Sequence, residues 1–138
     1  MQDDSLTEII IGAAFKVHNS LGTGFLEKVY ENAMTIELSK KGVNVKQQEP
    51  VNVFYEGHAV GAYFADLLVE DRIIVESKAN LGLTREHEVQ LVNYLAATGI
   101  DVGLLINFGS SVQVKRKYRE YRLRSLLNQR VSDGSSAS

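Results

Sequence analysis

The stretch Asp101-Val102-Gly103-Leu104-Leu105-Ile106-Asn107-Phe108 leaves less choice of fold than any other part of the chain. It is short and almost uniformly apolar, the pattern of a strand in a sheet interior. A strand apolar on both faces must be covered on both faces, which calls for helices packed against the sheet. The chain offers them. Thr84 caps a helix predicted from Arg85 to Thr98, closed by Gly99 just before this strand. Near the start, Leu6, Ile9, Ile10, Ala13, Ala14, Val17 and Leu21 keep helical spacing. That helix is predicted to begin at the capping box Ser5-Leu6-Thr7-Glu8 and to break near Gly22. A second helix carries Phe25, Leu26, Val29, Ala33 and Ile36 and stops at Lys40-Lys41-Gly42.

Between these helices, Val43 to Tyr55 is rich in β-branched residues, Glu56-Gly57-His58 supplies a turn, and a further strand runs from Val60 to Val69. Pro50 points to a strand edge or bulge. Glu70-Asp71-Arg72 turns the chain into Ile73-Ile74-Val75-Glu76-Ser77-Lys78-Ala79, its strongest strand former. Ser110 to Tyr118 is read as an additional edge strand, Arg119 to Arg130 as a basic helix, and 131–138 as a polar tail. The expectation is an α/β fold in a single domain over 1–130, a mixed sheet flanked by helices in the order α-α-β-β-β-α-β.

Composition removes several function classes. With no cysteine there are no disulfides, thiolate metal sites or cysteine nucleophile, which fits a reducing, cytoplasmic compartment. No apolar run approaches the ~18 residues of a membrane span, and the acidic start Met1-Gln2-Asp3-Asp4-Ser5 is unlike a signal peptide. The net charge of −2 is unevenly spread: from Val112 onward seven Lys/Arg stand against two acids.

Chemistry concentrates on two strands. Glu76 and Lys78 are two apart, so both side chains leave one face roughly 7 Å apart. In so apolar a run an acid and a lysine need a charged ligand between them, such as a cation and a phosphate. Asp66 lies ten positions before Glu76. A three-residue connection at Glu70-Asp71-Arg72, or a bulge, pairs it with Glu76, whereas a two-residue turn would put the acids on opposite faces. Standing alone, this pattern is also that of an ordinary solvated hairpin.

Its weight comes from neighbours. In Gly24-Phe25-Leu26-Glu27-Lys28-Val29-Tyr30, Glu27 falls in the first turn of a helix, where a carboxylate is favoured. Taken singly, Glu27 is equally a dipole-matching acid and Tyr30 a core aromatic. His87, Gln90 and Tyr94 share one helical stripe that is able to face the same cleft. His18 and His58 have no metal-ligand pattern.

These blocks resemble the GxxExxY family, whose pattern stands intact at 24–30. The likeness covers roughly 5–118, including Leu21-Gly22-Thr23-Gly24, Gln48-Glu49-Pro50-Val51, Ala65-Asp66-Leu67-Leu68-Val69, Glu76-Ser77-Lys78-Ala79, Gln90 to Leu95 and Gly103 to Phe108. That family sits among the PD-(D/E)XK nuclease-like proteins, with a restriction-endonuclease-like core, and Gln90 with Tyr94 is similar to the Gln-x-x-x-Tyr element of RecB-type nucleases. One departure is Ser77, where the family usually has an apolar residue; its side chain is expected to point away from the site.

The resemblance implies a metal-dependent nuclease hydrolysing phosphodiester bonds, with DNA the expected substrate. It makes Asp66 and Glu76 ligands of Mg²⁺ or Mn²⁺, with Glu27 a further acid and the Ser77 carbonyl a backbone ligand. Lys78 orients the attacking water or offsets phosphate charge, and Gln90 and Tyr94 position substrate or Lys78. Lys115, Arg116, Lys117 and Arg119 are expected to grip phosphates, with Tyr30 also counted among the nucleic-acid contacts. A homodimer or larger assembly is expected for specific recognition. The competing readings are a catalytically inactive nucleic-acid-binding module and a protein-interaction module in a defence or repair assembly.

Overall fold

A computed structural model describes residues 3–119. The predicted helix Arg119–Arg130, apart from Arg119, and the tail 131–138 lie outside the described residues. In chain order the elements are α1 (Asp3–Leu21), α2 (Glu27–Lys40), β1 (Val45–Tyr55), β2 (His58–Val69), β3 (Ile73–Lys78), α3 (Arg85–Thr98), β4 (Val102–Phe108) and β5 (Val112–Tyr118). The five strands form one sheet in the order β1-β2-β3-β4-β5, parallel only between β3 and β4, where α3 makes the crossover. β5 completes the predicted order as an edge strand.

β4 is buried at every position. On one face, α1 and α2 bring Leu6, Ile10, Ala13, Tyr30, Met34 and Leu38 against Leu67, Val75, Leu104 and Ile106. On the other, α3 brings Leu91, Tyr94 and Leu95 against Ile74 and Leu105. Alternation along β4 thus feeds two separate cores, as its two-sided apolarity requires. Gly103 lets α3 approach closely, since a Cβ there would stand 2.8 Å from Leu91 Cδ1.

The local signals at α3 act as expected. Thr84 Oγ1 accepts from the His87 N–H, the Thr84 N–H donates to His87 Nδ1, and Gly99 closes the helix at φ 76°. His87 is therefore a capping residue. The Ser5–Glu8 capping box is not used: α1 is already helical at Asp3, and Asp3 and Asp4 lie in its first turn, where the helix dipole favours acids.

Two turns set the register of the central strands. Glu56 and Gly57, both at positive φ, make a tight β1–β2 turn. The β2–β3 connection is the three-residue one, 70–72, with Glu70 and Asp71 at φ 53° and 54°. The ladder pairs Leu67 with Val75 and Leu68 with Ile74, so its continuation places Asp66 opposite Glu76.

Candidate active site

At Asp66 the sheet stops being regular. Ala65 packs on the α3 side, yet Leu67, two residues on, packs toward α1 and α2, so the pleat loses its alternation between them. β1 does the same between Val45 and Val51, around Gln48 at φ 54°. Gln48 and Asp66 face each other across the pair but are missing from its ladder. A non-glycine residue in the left-handed region costs about 1–3 kcal/mol and persists where surrounding contacts hold it. Here the contacts are acids: Gln48 Nε2 donates to Glu31 Oε1 at 3.0 Å and to Asp66 Oδ1 at 3.4 Å.

The same irregularity opens β2 from β3. Instead of ladder bonds, the Asp66 N–H donates to Glu76 Oε2 at 2.7 Å and the Ser77 N–H donates to Asp66 Oδ2 at 2.8 Å. Each carboxylate thus accepts a backbone amide of the opposite strand, and Glu76 Oε1 accepts none among the described residues. Glu76 is buried at 4% exposure. Burial, then the neighbouring Asp66 charge, pushes its carboxyl up to about 8. Asp66 is also raised, by burial and then, against the Ser77 amide, by the Glu31 charge. Lys78, half-buried at the end of β3, favours the ionised form of both acids.

The acid that α2 contributes is Glu31. It is 4% exposed and accepts from Lys28 Nζ at 2.9 Å, Gln47 Nε2 at 2.7 Å and Gln48 Nε2, and its charge acts on both Asp66 and Glu76. Glu27, expected in this role, is exposed one turn earlier and makes no hydrogen bond to Asp66, Glu76 or Lys78. The missed signal was the spacing: Glu27 and Glu31 are four apart on one helical face.

Tyr94 approaches the pair from α3. Burial, then the charges of Glu76 and Asp66, pushes its hydroxyl up to about 12, so it stays a neutral donor. Gln90, one turn earlier, is exposed and lines a cleft with Tyr94. Ser77 contributes its N–H, while its buried Oγ has no partner among the described residues.

One expected nucleic-acid contact is corrected. Tyr30 is fully buried, stacked on Phe108 at 4.6 Å, and donates from its hydroxyl to the Gly22 carbonyl at 2.7 Å. It ties the α1–α2 connection to the sheet and has no face for a base. The C-terminal cations do not form one patch, because alternate residues of β5 leave opposite faces. Lys115 and Lys117 pair with Glu88 of α3, Arg116 pairs with Asp4 of α1, and Arg119 pairs with Asp101.

A family model described as the PD-(D/E)XK nuclease superfamily matches residues 4–120. The chain belongs to that superfamily. Among solved structures it is similar to an alkaline exonuclease (LHK-Exo) from Laribacter hongkongensis, at 16% identity and a TM-score of 0.52, covering 77% of this chain and 62% of that one. It is also similar to the protein SSO0001, at 14% identity and a TM-score of 0.49, covering 79% of this chain and 59% of that one. The chain thus spans less than two thirds of either structure; the first likeness shows a shared fold. No curated protein matches the sequence. Among the described residues, no helix is long and apolar enough to cross a membrane.

The donor set can be tested against the divalent cation this superfamily suggests. Asp66 and Glu76 offer hard oxygen donors, and Glu76 has one oxygen without a hydrogen bond among the described residues. Among the described residues no three His, Cys, Asp or Glu side chains form a complete cage. Two carboxylates with the remaining positions left to water and phosphate oxygens fit the habit of Mg²⁺.

Proposed function

We propose that this domain is a Mg²⁺- or Mn²⁺-dependent nuclease acting on DNA, of the GxxExxY type within its superfamily. The observation that carries this reading is the clasp of Asp66 and Glu76 by each other's strands, with Glu31 and Lys78 acting on the pair. A buried acid pair raised in this way is unfavourable alone and is relieved by a cation.

Asp66 and Glu76 would hold the metal, with the Ser77 carbonyl a further ligand by resemblance. When bound, the ion supplies positive charge at the scissile phosphoryl and acidifies a water. Lys78 holds the attacking water in line and offsets charge on the phosphate oxygens. Glu31, held by Lys28, Gln47 and Gln48, fixes Gln48 against Asp66 and so fixes the direction of that carboxylate. Gln90 and the Tyr94 hydroxyl position the substrate. Lys115 and Lys117, which pair with Glu88 on the α3 side, are the β5 cations that would meet a nucleic-acid strand entering there. The lack of cysteine suits a cytoplasmic setting, and a second copy or a partner would widen the contact on nucleic acid.

Cleavage of DNA, assayed as single and as double strand with RNA as the comparison, should appear with Mg²⁺ or Mn²⁺ and vanish with EDTA. Asp66→Asn and Lys78→Ala should each lower the rate about 10²-fold or more with circular dichroism unchanged. Folded variants that cut as fast as the parent, or a parent that cuts nothing, would sink the reading.

A further inference from the structure

A cleft of about 950 Å³ lies between the β1–β2 hairpin and α3. Tyr94 lines it, and the charges of Glu76 and Asp66 act on the Tyr94 hydroxyl, so cleft and acid pair share a wall. Two large aromatics on its rim stand in water: Phe54 is 63% exposed and Tyr63 48%. The Tyr63 ring leans on Tyr94 at 5.7 Å between centroids, which fixes one aromatic face. Three amide side chains, Asn52, Gln90 and Asn93, complete the polar lining, apart from one cation and one acid, Arg85 and Glu86.

That chemistry selects among parts of a nucleic acid. A phosphate backbone calls for clustered cations, and the cleft carries no net charge. A base calls for flat aromatic faces and for side chains that both donate and accept, which amides do. Bases within an intact duplex keep their faces stacked on one another, so only an unpaired base can use such rings. The groups are graded accordingly: the cleft carries no net charge, and the acids Asp66 and Glu76 with Lys78 stand beside it, where the proposed cation and phosphate would sit.

We propose that the cleft binds the base of an unpaired nucleotide, stacked on Tyr63 and Phe54, and that the domain therefore selects single-stranded nucleic acid over intact duplex. This rests on the nuclease reading for what happens to the phosphate, but the binding itself does not need catalysis.

Binding is measured on the full chain in EDTA with short oligonucleotides carrying 2-aminopurine: single-stranded DNA, the matching RNA, and the blunt DNA duplex. The single strand should bind about tenfold tighter than the duplex, with the fluorescence quenched by stacking. Phe54→Ala and Tyr63→Ala should each weaken single-strand binding about tenfold, and Tyr63→Phe should retain it. The DNA and RNA arms identify which sugar the preferred strand carries. Equal affinity for duplex and single strand, or folded Ala variants that bind like the parent, overturns the proposal. A parent that binds and quenches the single strand but cuts nothing with Mg²⁺ leaves the cleft standing and removes the nuclease. A parent that cuts with Mg²⁺, while both Ala variants cut single strand and duplex in the parent's ratio, does the reverse.

Discussion

Glu27 and Glu31 are one helical turn apart on α2, and their surroundings assign them different work. Glu27 is exposed in the first turn, where it suits the helix dipole. Glu31 is buried, held by three side chains, and linked through Gln48 to Asp66. A partner that orients a metal-binding carboxylate typically costs 10–100-fold in activity or metal affinity when removed. Glu31→Gln should therefore lower Mg²⁺ affinity by about that factor, read by isothermal titration, and Glu27→Gln should change it far less. Equal losses would return Glu27 to the site. The same scale explains Ser77, whose hydroxyl lies buried without a partner among the described residues where the resembled family usually has an apolar side chain. Its backbone amide, which any residue but proline supplies, is the part that reaches Asp66.

Among the elements, α3 comes close to β4 at Gly103. The Gly103→Ala methyl would meet Leu91 at 2.8 Å, and Leu91 is itself fully buried. Overpacking of this kind costs about 1–3 kcal/mol. Urea unfolding of Gly103→Ala should show that loss, and the double variant with Leu91→Ala should lose less than the two single losses summed; additive losses would mean that the contact is not the cause. The ends of α3 were legible in the sequence because Thr84 and Gly99 are local signals, and the Asp66–Glu76 register followed from counting across 70–72. Gln48 was not legible. Counted from the Tyr55–His58 pair, a regular ladder sets it opposite Ala65; the bulge between Val53 and Phe54 moves it opposite Asp66. The extra residue, Val60 on β2, changes every later partner, and its one cue in the sequence is the neighbouring Gly61. The Ser5–Glu8 box failed for the opposite reason: its residues are right for a cap, but α1 already includes Asp3.

For the molecule as a whole, the acid pair links stability to pH and, under the proposed function, to metal. The Glu76 carboxyl sits at about 8 in the fold against 4.5 when exposed. Between those values the folded chain keeps a proton that the unfolded chain releases, so the native state binds more protons and stability falls as pH rises. Asp66, also raised, acts in the same sense. Glu37 and Glu88 are lowered by Lys16 and Lys117, so what they contribute is lost on acidification instead, but both are salt bridges to exposed or half-exposed lysines, which contribute little. The raised pair should dominate above pH 6. In EDTA the melting temperature should drop by several degrees between about pH 6 and pH 8.5, since ~1 kcal/mol moves the midpoint of a domain this size by about 2–8 °C. A cation held by the ionised pair stabilises by mass action, and more strongly at the higher pH, so millimolar Mg²⁺ should close or reverse that drop. Glu76→Gln removes the titrating group and should flatten the dependence in EDTA. A parent whose midpoint is the same at both pH values without metal, or a Glu76→Gln variant that keeps the full slope, would show that the buried carboxyl is not the group that links them.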